Sequence, residues 1–149
     1  MLTAVGHVGS HLIAAAVASR GPTNDSPLLA PAMRQAAHHI QFDVLLADRG
    51  YDAEHNHRLC REELGIRKTA IPINPRGTGR RWPKSRYRRK MRQAFPAKAY
   101  RQRRHAESIF SALKRTLGSA LRARGPQAQA RECLWRVLAF DLMIIRRAA

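Results

Sequence analysis

Between Glu63 and Glu107 the chain carries no aspartate or glutamate, while lysine or arginine stands at 67, 68, 76, 80, 81, 84, 86, 88, 89, 90, 92, 98, 101, 103 and 104. Charge of one sign at this density repels itself unless a polyanion lies on it or the segment stays solvated as a basic loop. Pro75, Gly77, Gly79, Pro83 and Pro96 argue against one long helix through the stretch, and Trp82, Tyr87 and Phe95 interrupt it with aromatic rings. A basic loop over 74–99 that grips backbone phosphates, with binding that weakens as salt rises, is the sharper reading.

The rest of the composition supports a polyanionic partner. With 28 Lys+Arg against 10 Asp+Glu the formal net charge is +18, which favours nucleic acid over an acidic membrane. A length of 149 residues with 44% hydrophobic side chains permits one compact domain with a core of ordinary size. Cys60 and Cys133 are too few and too far apart for a disulfide framework, which fits a reducing compartment. The apolar run Leu12–Ala18 is far too short to span a bilayer and has no basic residue ahead of it.

Short apolar runs alternate with helical periodicity. Leu2–Val5 and Leu12–Ala18 read as a strand hairpin, and Ser26 with Pro27 opens a helix to about His38 or His39. Phe42–Ala47 reads as a strand buried on both faces, expected to be central between Leu12–Ala18 and Ile66–Ile73. A helix over Ala53–Leu64 would be capped by Asp52 and stopped by Gly65. Tyr100–Leu121 has the strongest helical period, and a last helix spans Gln129–Arg147. The fold class is α/β.

Two acids stand out. Asp48 directly follows the apolar run, at the strand end where open α/β sheets place ligands, although a turn cap before Gly50 is the plainer alternative. On one continuous helix Tyr100, Arg103, Glu107 and Lys114 fall within a stripe of about 60°. Glu107 would then either meet a divalent cation or pair with Arg103 four residues earlier. Asp25 and Asp52 read as loop and cap residues. His55-x-His57-x2-Cys60 is a poor zinc site, because residues two apart on a helix diverge. His38 and His39 suit a helix end, Gly77-Thr78-Gly79 lacks the ending of a phosphate loop, and Trp135 and Phe140 read as packing residues.

Leu46-Ala-Asp-Arg-Gly-Tyr-Asp52 resembles the segment around the second catalytic aspartate of bacterial insertion-sequence DDE transposases. Tyr100-x2-Arg103-x3-Glu107-x6-Lys114 matches their Y-R-E-K signature at every spacing, and Asn24-Asp25-Ser26 resembles the loop after their third strand. The resemblance implies a ribonuclease-H-like mixed sheet with flanking helices and a site of three acids holding two Mg²⁺ (or Mn²⁺) ions. Such a site cuts transposon ends and transfers the strand to target DNA. It implies catalytic and metal-binding roles for Asp48 and Glu107, and DNA contacts by Tyr100, Arg103 and Lys114. The basic loop, with Arg86, Arg88, Arg89, Lys90 and Arg92, would extend that surface. Its partners would be DNA and a second copy in a synaptic complex, in the bacterial cytoplasm at the nucleoid and with no membrane.

The family's first aspartate lies upstream of a hairpin like that at Leu2–Ala18, and no acid precedes Asp25 here. The expectation is therefore a single partial catalytic domain over 1–149, truncated at its amino end, with the first strand and first acid missing. Such a chain would bind DNA but cleave poorly alone. The alternative function is a non-enzymatic basic nucleic-acid-binding protein.

Overall fold

The computed structural model describes residues 2–19, 24, 26–75 and 82–148. Asp25, Gly77-Thr78-Gly79 and part of the basic loop lie outside them. In chain order the first elements are β1 (Leu2–Gly6), β2 (Ile13–Ala18), α1 (Leu29–Ala37), β3 (Val44–Leu46), α2 (Glu54–Arg58) and β4 (Lys68–Ala70). Then come α3 (Arg86–Gln93), α4 (Ala97–Tyr100), α5 (Arg104–Leu117) and α6 (Pro126–Ala148). The protein is mixed α/β, and it divides into two compact units, Met1–Thr23 with Arg104–Ala149, and Asn24–Arg103.

In the first unit the expected hairpin is present. β1 and β2 pair antiparallel, with Leu2 opposite Ala18, and the turn is closed by His7 N–H donating to Leu12 O at 2.8 Å and His11 N–H to His7 O at 2.9 Å. Ile13 from β2, Ile109 and Leu113 from α5, and Val137 and Phe140 from α6 form its core. Ile109 and Leu113 are four residues apart and so share one helix face. A Cβ at Gly6 would lie 2.8 Å from Ile109 Cδ1, so glycine lets β1 approach α5 this closely. Asp141 Oδ1 accepts the Ile13 N–H at 2.9 Å; burial pushes its carboxyl up, against that hydrogen bond. The outer side of α6 leaves Leu134, Trp135, Leu138, Leu142 and Ile145 exposed.

Departures from expectation begin in the second unit. Its strands β3 and β4 are parallel and three residues long, with Val44, Leu45 and Leu46 opposite Lys68, Thr69 and Ala70. Phe42–Ala47 is thus not the centre of one sheet, because the described strands form two two-stranded sheets. Asp43 O still accepts the Lys68 N–H at 3.1 Å while its side chain makes an exposed ion pair with Arg67 at 2.7 Å, and Pro72 has no N–H with which to extend β4. At α1 the N-cap is Leu28 rather than Ser26 and carries no side-chain capping bond, while ahead of it Asn24 Oδ1 accepts the Ser26 N–H at 3.2 Å. A 3₁₀ turn, Ser26–Leu28, leads in, and Leu29, Ala32, Met33 and Ala36 bury one face. The basic stretch contains the helix α3 rather than being loop throughout.

A further departure is the helix expected over Tyr100–Leu121. It is divided into α4, a 3₁₀ turn Arg101–Arg103 and α5, and α5 ends at Leu117 before Gly118, which has φ of 85°. Tyr100 and Arg103 therefore do not share one regular helix with Glu107 and Lys114.

Behind β4, α2 widens into a π turn at Leu59–Glu63 and stops at Gly65, whose φ of 66° suits glycine. Cys60 in that turn is fully buried, and burial pushes its thiol up to about 12. His57, also fully buried, is hydrogen-bonded through Nδ1 to Thr69 Oγ1 at 2.8 Å. Burial holds its pKa below the ordinary histidine value of 6.5, although Asp52 and Glu54 pull the other way.

A histidine kept neutral by folding contributes no pH dependence above its unfolded pKa, and its environment costs stability as pH falls through that value, because only the unfolded chain takes up the proton. Stability should therefore fall as pH drops below about 6.5, the ordinary histidine value, and His57→Gln should flatten that fall. Urea midpoints across this range check it; parallel profiles for parent and variant would refute it.

Candidate active site

The ladder of β3 continues for one bond past Leu46, Ala47 N–H donating to Ala70 O at 3.2 Å, and then the chain turns. Tyr51 N–H donates to Asp48 O at 2.9 Å, closing the 3₁₀ turn Arg49–Tyr51. Asp48 stands at the N-cap of this turn, yet its side chain makes no capping hydrogen bond. Its Oδ1 instead lies 2.9 Å from Arg103 Nη1, with 54% of the side chain exposed.

Around that pair the structure gathers Tyr100. The Arg103 guanidinium carbon is 5.9 Å from the Tyr100 ring centroid, and Phe95 meets the same ring edge-on at 5.1 Å between centroids. Burial raises the Tyr100 pKa, Arg103 pulls it down and the Asp48 charge adds to the rise. Asp48 and the pair Tyr100 and Arg103, singled out on different segments of the sequence, are thus neighbours within the unit Asn24–Arg103. Glu107 and Lys114 belong to the other unit, both exposed on α5.

The second acid of the turn has a different task from the one expected. Asp52 does not cap α2, where Ala53 holds the N-cap position without a side-chain bond. Its carboxylate, 0% exposed, accepts the Asn74 N–H at 2.6 Å and two bonds from Arg88, Nε to Oδ1 at 3.0 Å and Nη2 to Oδ2 at 2.9 Å. Such a two-point contact fixes orientation as well as charge. Glu54 accepts the N–H groups of Tyr87 at 2.9 Å and Arg88 at 3.1 Å, satisfying orphan donors at the start of α3. Burial opposes its charge, yet these bonds prevail and hold its carboxyl below the ordinary range. Tyr87 OH donates to Glu62 at 2.9 Å.

Anchored in this way, α3 keeps Arg86, Arg89, Lys90 and Arg92 exposed, while Arg88 is turned inward. The Arg92 guanidinium lies 5.3 Å over the Trp82 ring. The residues that sequence reasoning missed are the anchors, Asp52, Glu54 and Glu62. The available signal was their position just ahead of the acid-free stretch, where with Glu63 they form the run of acids that precedes its positive charge.

Asp48 offers an accessible carboxylate, the hard oxygen donor that Mg²⁺ and Mn²⁺ prefer. Among the described residues no group of three or more His, Cys, Asp and Glu side chains is gathered as a metal cluster.

Stability should separate the two acids of the turn. Asp52→Ala strands Arg88 beside a buried cavity and should cost about 3–5 kcal/mol, whereas Asp48→Ala removes a half-exposed pair and should change stability by about 0.5 kcal/mol or less. Urea unfolding of both variants measures the difference, and equal costs would show that Asp48 is also structural.

No helix among the described residues is long and apolar enough to cross a membrane. No curated protein and no solved structure matches the chain. Residues 2–142 match the family model described as the transposase DDE domain, which spans both units and includes Asp48, Tyr100, Arg103, Glu107 and Lys114. The chain therefore belongs to the transposase DDE-domain family, whose function is DNA transposition.

Proposed function

We propose that this domain cuts DNA at transposon ends and joins the freed 3′-hydroxyl to target DNA, with Asp48 and Glu107 as two of the three acids of a ribonuclease-H-like site. The observation that carries the reading is Asp48, exposed at the carboxyl end of β3 and flanked by Arg103 and Tyr100. In this reading Tyr100, Arg103, Glu107 and Lys114 form the Y-R-E-K signature. Two copies would hold two DNA ends in one complex.

Asp48 and Glu107 would hold Mg²⁺ or Mn²⁺. Bound in pairs, such ions stabilise the attacking and the leaving oxygen of an in-line phosphoryl displacement. Before DNA binds, Arg103 offsets the Asp48 charge across 2.9 Å; with DNA present its guanidinium suits a phosphate oxygen equally well. Tyr100 positions Arg103 through its ring face. Lys114, exposed on α5, adds a point charge for a further phosphate. Arg86, Arg89, Lys90 and Arg92 on α3 contact the DNA backbone without reading its sequence. Arg88 contributes by holding α3 in place through Asp52.

Metal binding is tested on the chain itself. Fe²⁺ with ascorbate, standing in for Mg²⁺, should cut the polypeptide near residues 48 and 107, excess Mg²⁺ should suppress the cuts, and Asp48→Ala or Glu107→Ala should remove them. DNA affinity should remain within about threefold in both variants, since most binding energy comes from phosphate contacts elsewhere. Cuts confined to other segments, or cuts that persist in both variants, would overturn the assignment.

The α3 surface has its own test. Replacing Arg86, Arg89, Lys90 and Arg92 together by Gln should weaken binding alike across DNA sequences and reduce the slope of log K against log salt by about 0.9 for each phosphate that is no longer neutralised. An unchanged slope in a filter-binding titration would remove α3 from the DNA interface.

A further inference from the structure

We propose that His11 and His105 form a two-histidine site for a borderline divalent cation, zinc above all, that ties the β1–β2 turn to the first turn of α5. His11 Nε2 and His105 Nδ1 lie 3.3 Å apart, with ring centroids at 5.4 Å and planes inclined by 41°. Two imidazole nitrogens each about 2.05 Å from one ion and separated by this distance subtend an angle of about 107° at the ion, close to the tetrahedral value zinc adopts. Each ring has to tilt by about 35° from the line joining the nitrogens to direct its lone pair at a common point, a small motion for side chains of which one is exposed and the other half-buried.

The two ligands are held from independent directions. His105 lies in the first turn of α5, four residues before Ile109, whose side chain is in the core. His11 has φ of 61°, a left-handed conformation uncommon outside glycine. It is kept there by its N–H bond to His7 O and by the His7 N–H bond to Leu12 O. Strained backbone that the surrounding structure over-determines is a recurrent feature of ligand sites. His7 is otherwise engaged, its Nδ1 accepting the Ser10 N–H at 3.1 Å.

Without metal, the pair is a hydrogen bond between two imidazoles. When the ion enters, the ring that carried its proton on the shared nitrogen moves it to its other nitrogen. Water fills the remaining coordination positions. His105 and Glu107 are two residues apart, about 200° around the helix, so this site is distinct in position and in ligand type from the proposed Mg²⁺ acids. Imidazole nitrogen selects zinc, nickel or copper over Mg²⁺.

The test uses the full chain carrying Cys133→Ser, which removes a half-buried thiol that would compete for zinc. Calorimetric titration with ZnCl₂ should show one site, with a rise in Tm that MgCl₂ does not reproduce. His11→Gln and His105→Gln should each weaken zinc binding by about tenfold or more. Should either variant fold poorly, long-range ¹H–¹⁵N spectra of the parent decide: zinc should move His11 Nε2 and His105 Nδ1 before any other ring nitrogen. Undiminished zinc affinity in both variants, or His38 and His39 responding first, would overturn the proposal while leaving the Fe²⁺ cleavage and DNA-binding results untouched.

Discussion

The contact between Asp52 and Arg88 holds together what the charge distribution would otherwise drive apart. A carboxylate with no solvent exposure is tolerable only when its lone pairs are filled, and here Arg88 and the Asn74 N–H fill them. That contact joins the turn after β3 to the basic helix α3. Glu54 and Glu62 add to it from the segment just beyond Asp52, and Glu63 pairs with Arg34 of α1. Charge segregated along the sequence is thus paired in space. The four acids between 52 and 63 supply counter-charges and hydrogen-bond acceptors that the next 43 residues lack.

Once Asp52 has fixed the turn, Asp48 is left for another purpose. The two acids are four residues apart and have opposite surroundings, one sealed and doubly bonded, the other half-exposed against Arg103. A buried, satisfied carboxylate has little capacity to accept a new ligand, whereas an exposed one exchanges its partner at small cost. This asymmetry makes Asp48 the better candidate for phosphoryl-transfer chemistry.

Much of the architecture is legible in local pattern. The hairpin, α1, α6 and the stop at Gly65 follow from apolar periodicity and from glycine's tolerance of positive φ. The short β3 was less legible, because its partner β4 is limited by Pro72, which has no N–H to donate, and not by the hydrophobicity of Phe42–Ala47. The break at Arg101–Arg103 escaped helical periodicity for a similar reason: Arg103 meets Asp48, a residue 55 positions away in sequence. At the candidate site, Asp48 was recognisable from its place after an apolar run, and its neighbours Tyr100 and Arg103 from their resemblance to the Y-R-E-K signature. The inward role of Arg88 was not, since nothing local distinguishes it from Arg86 or Arg89. Nor was His11, whose backbone conformation is imposed by the turn around it.

The π turn of α2 has a consequence for thiol chemistry. Cys60 is sealed there with its thiol pushed up to about 12, so at neutral pH it offers an alkylating reagent neither access nor a thiolate. Cys133 on α6 is half-buried and remains the reachable sulfur. The folded chain therefore carries a natural single attachment point for a fluorophore or spin label. The rate at which Cys60 becomes modified is in turn an internal clock for the opening of the unit Asn24–Arg103.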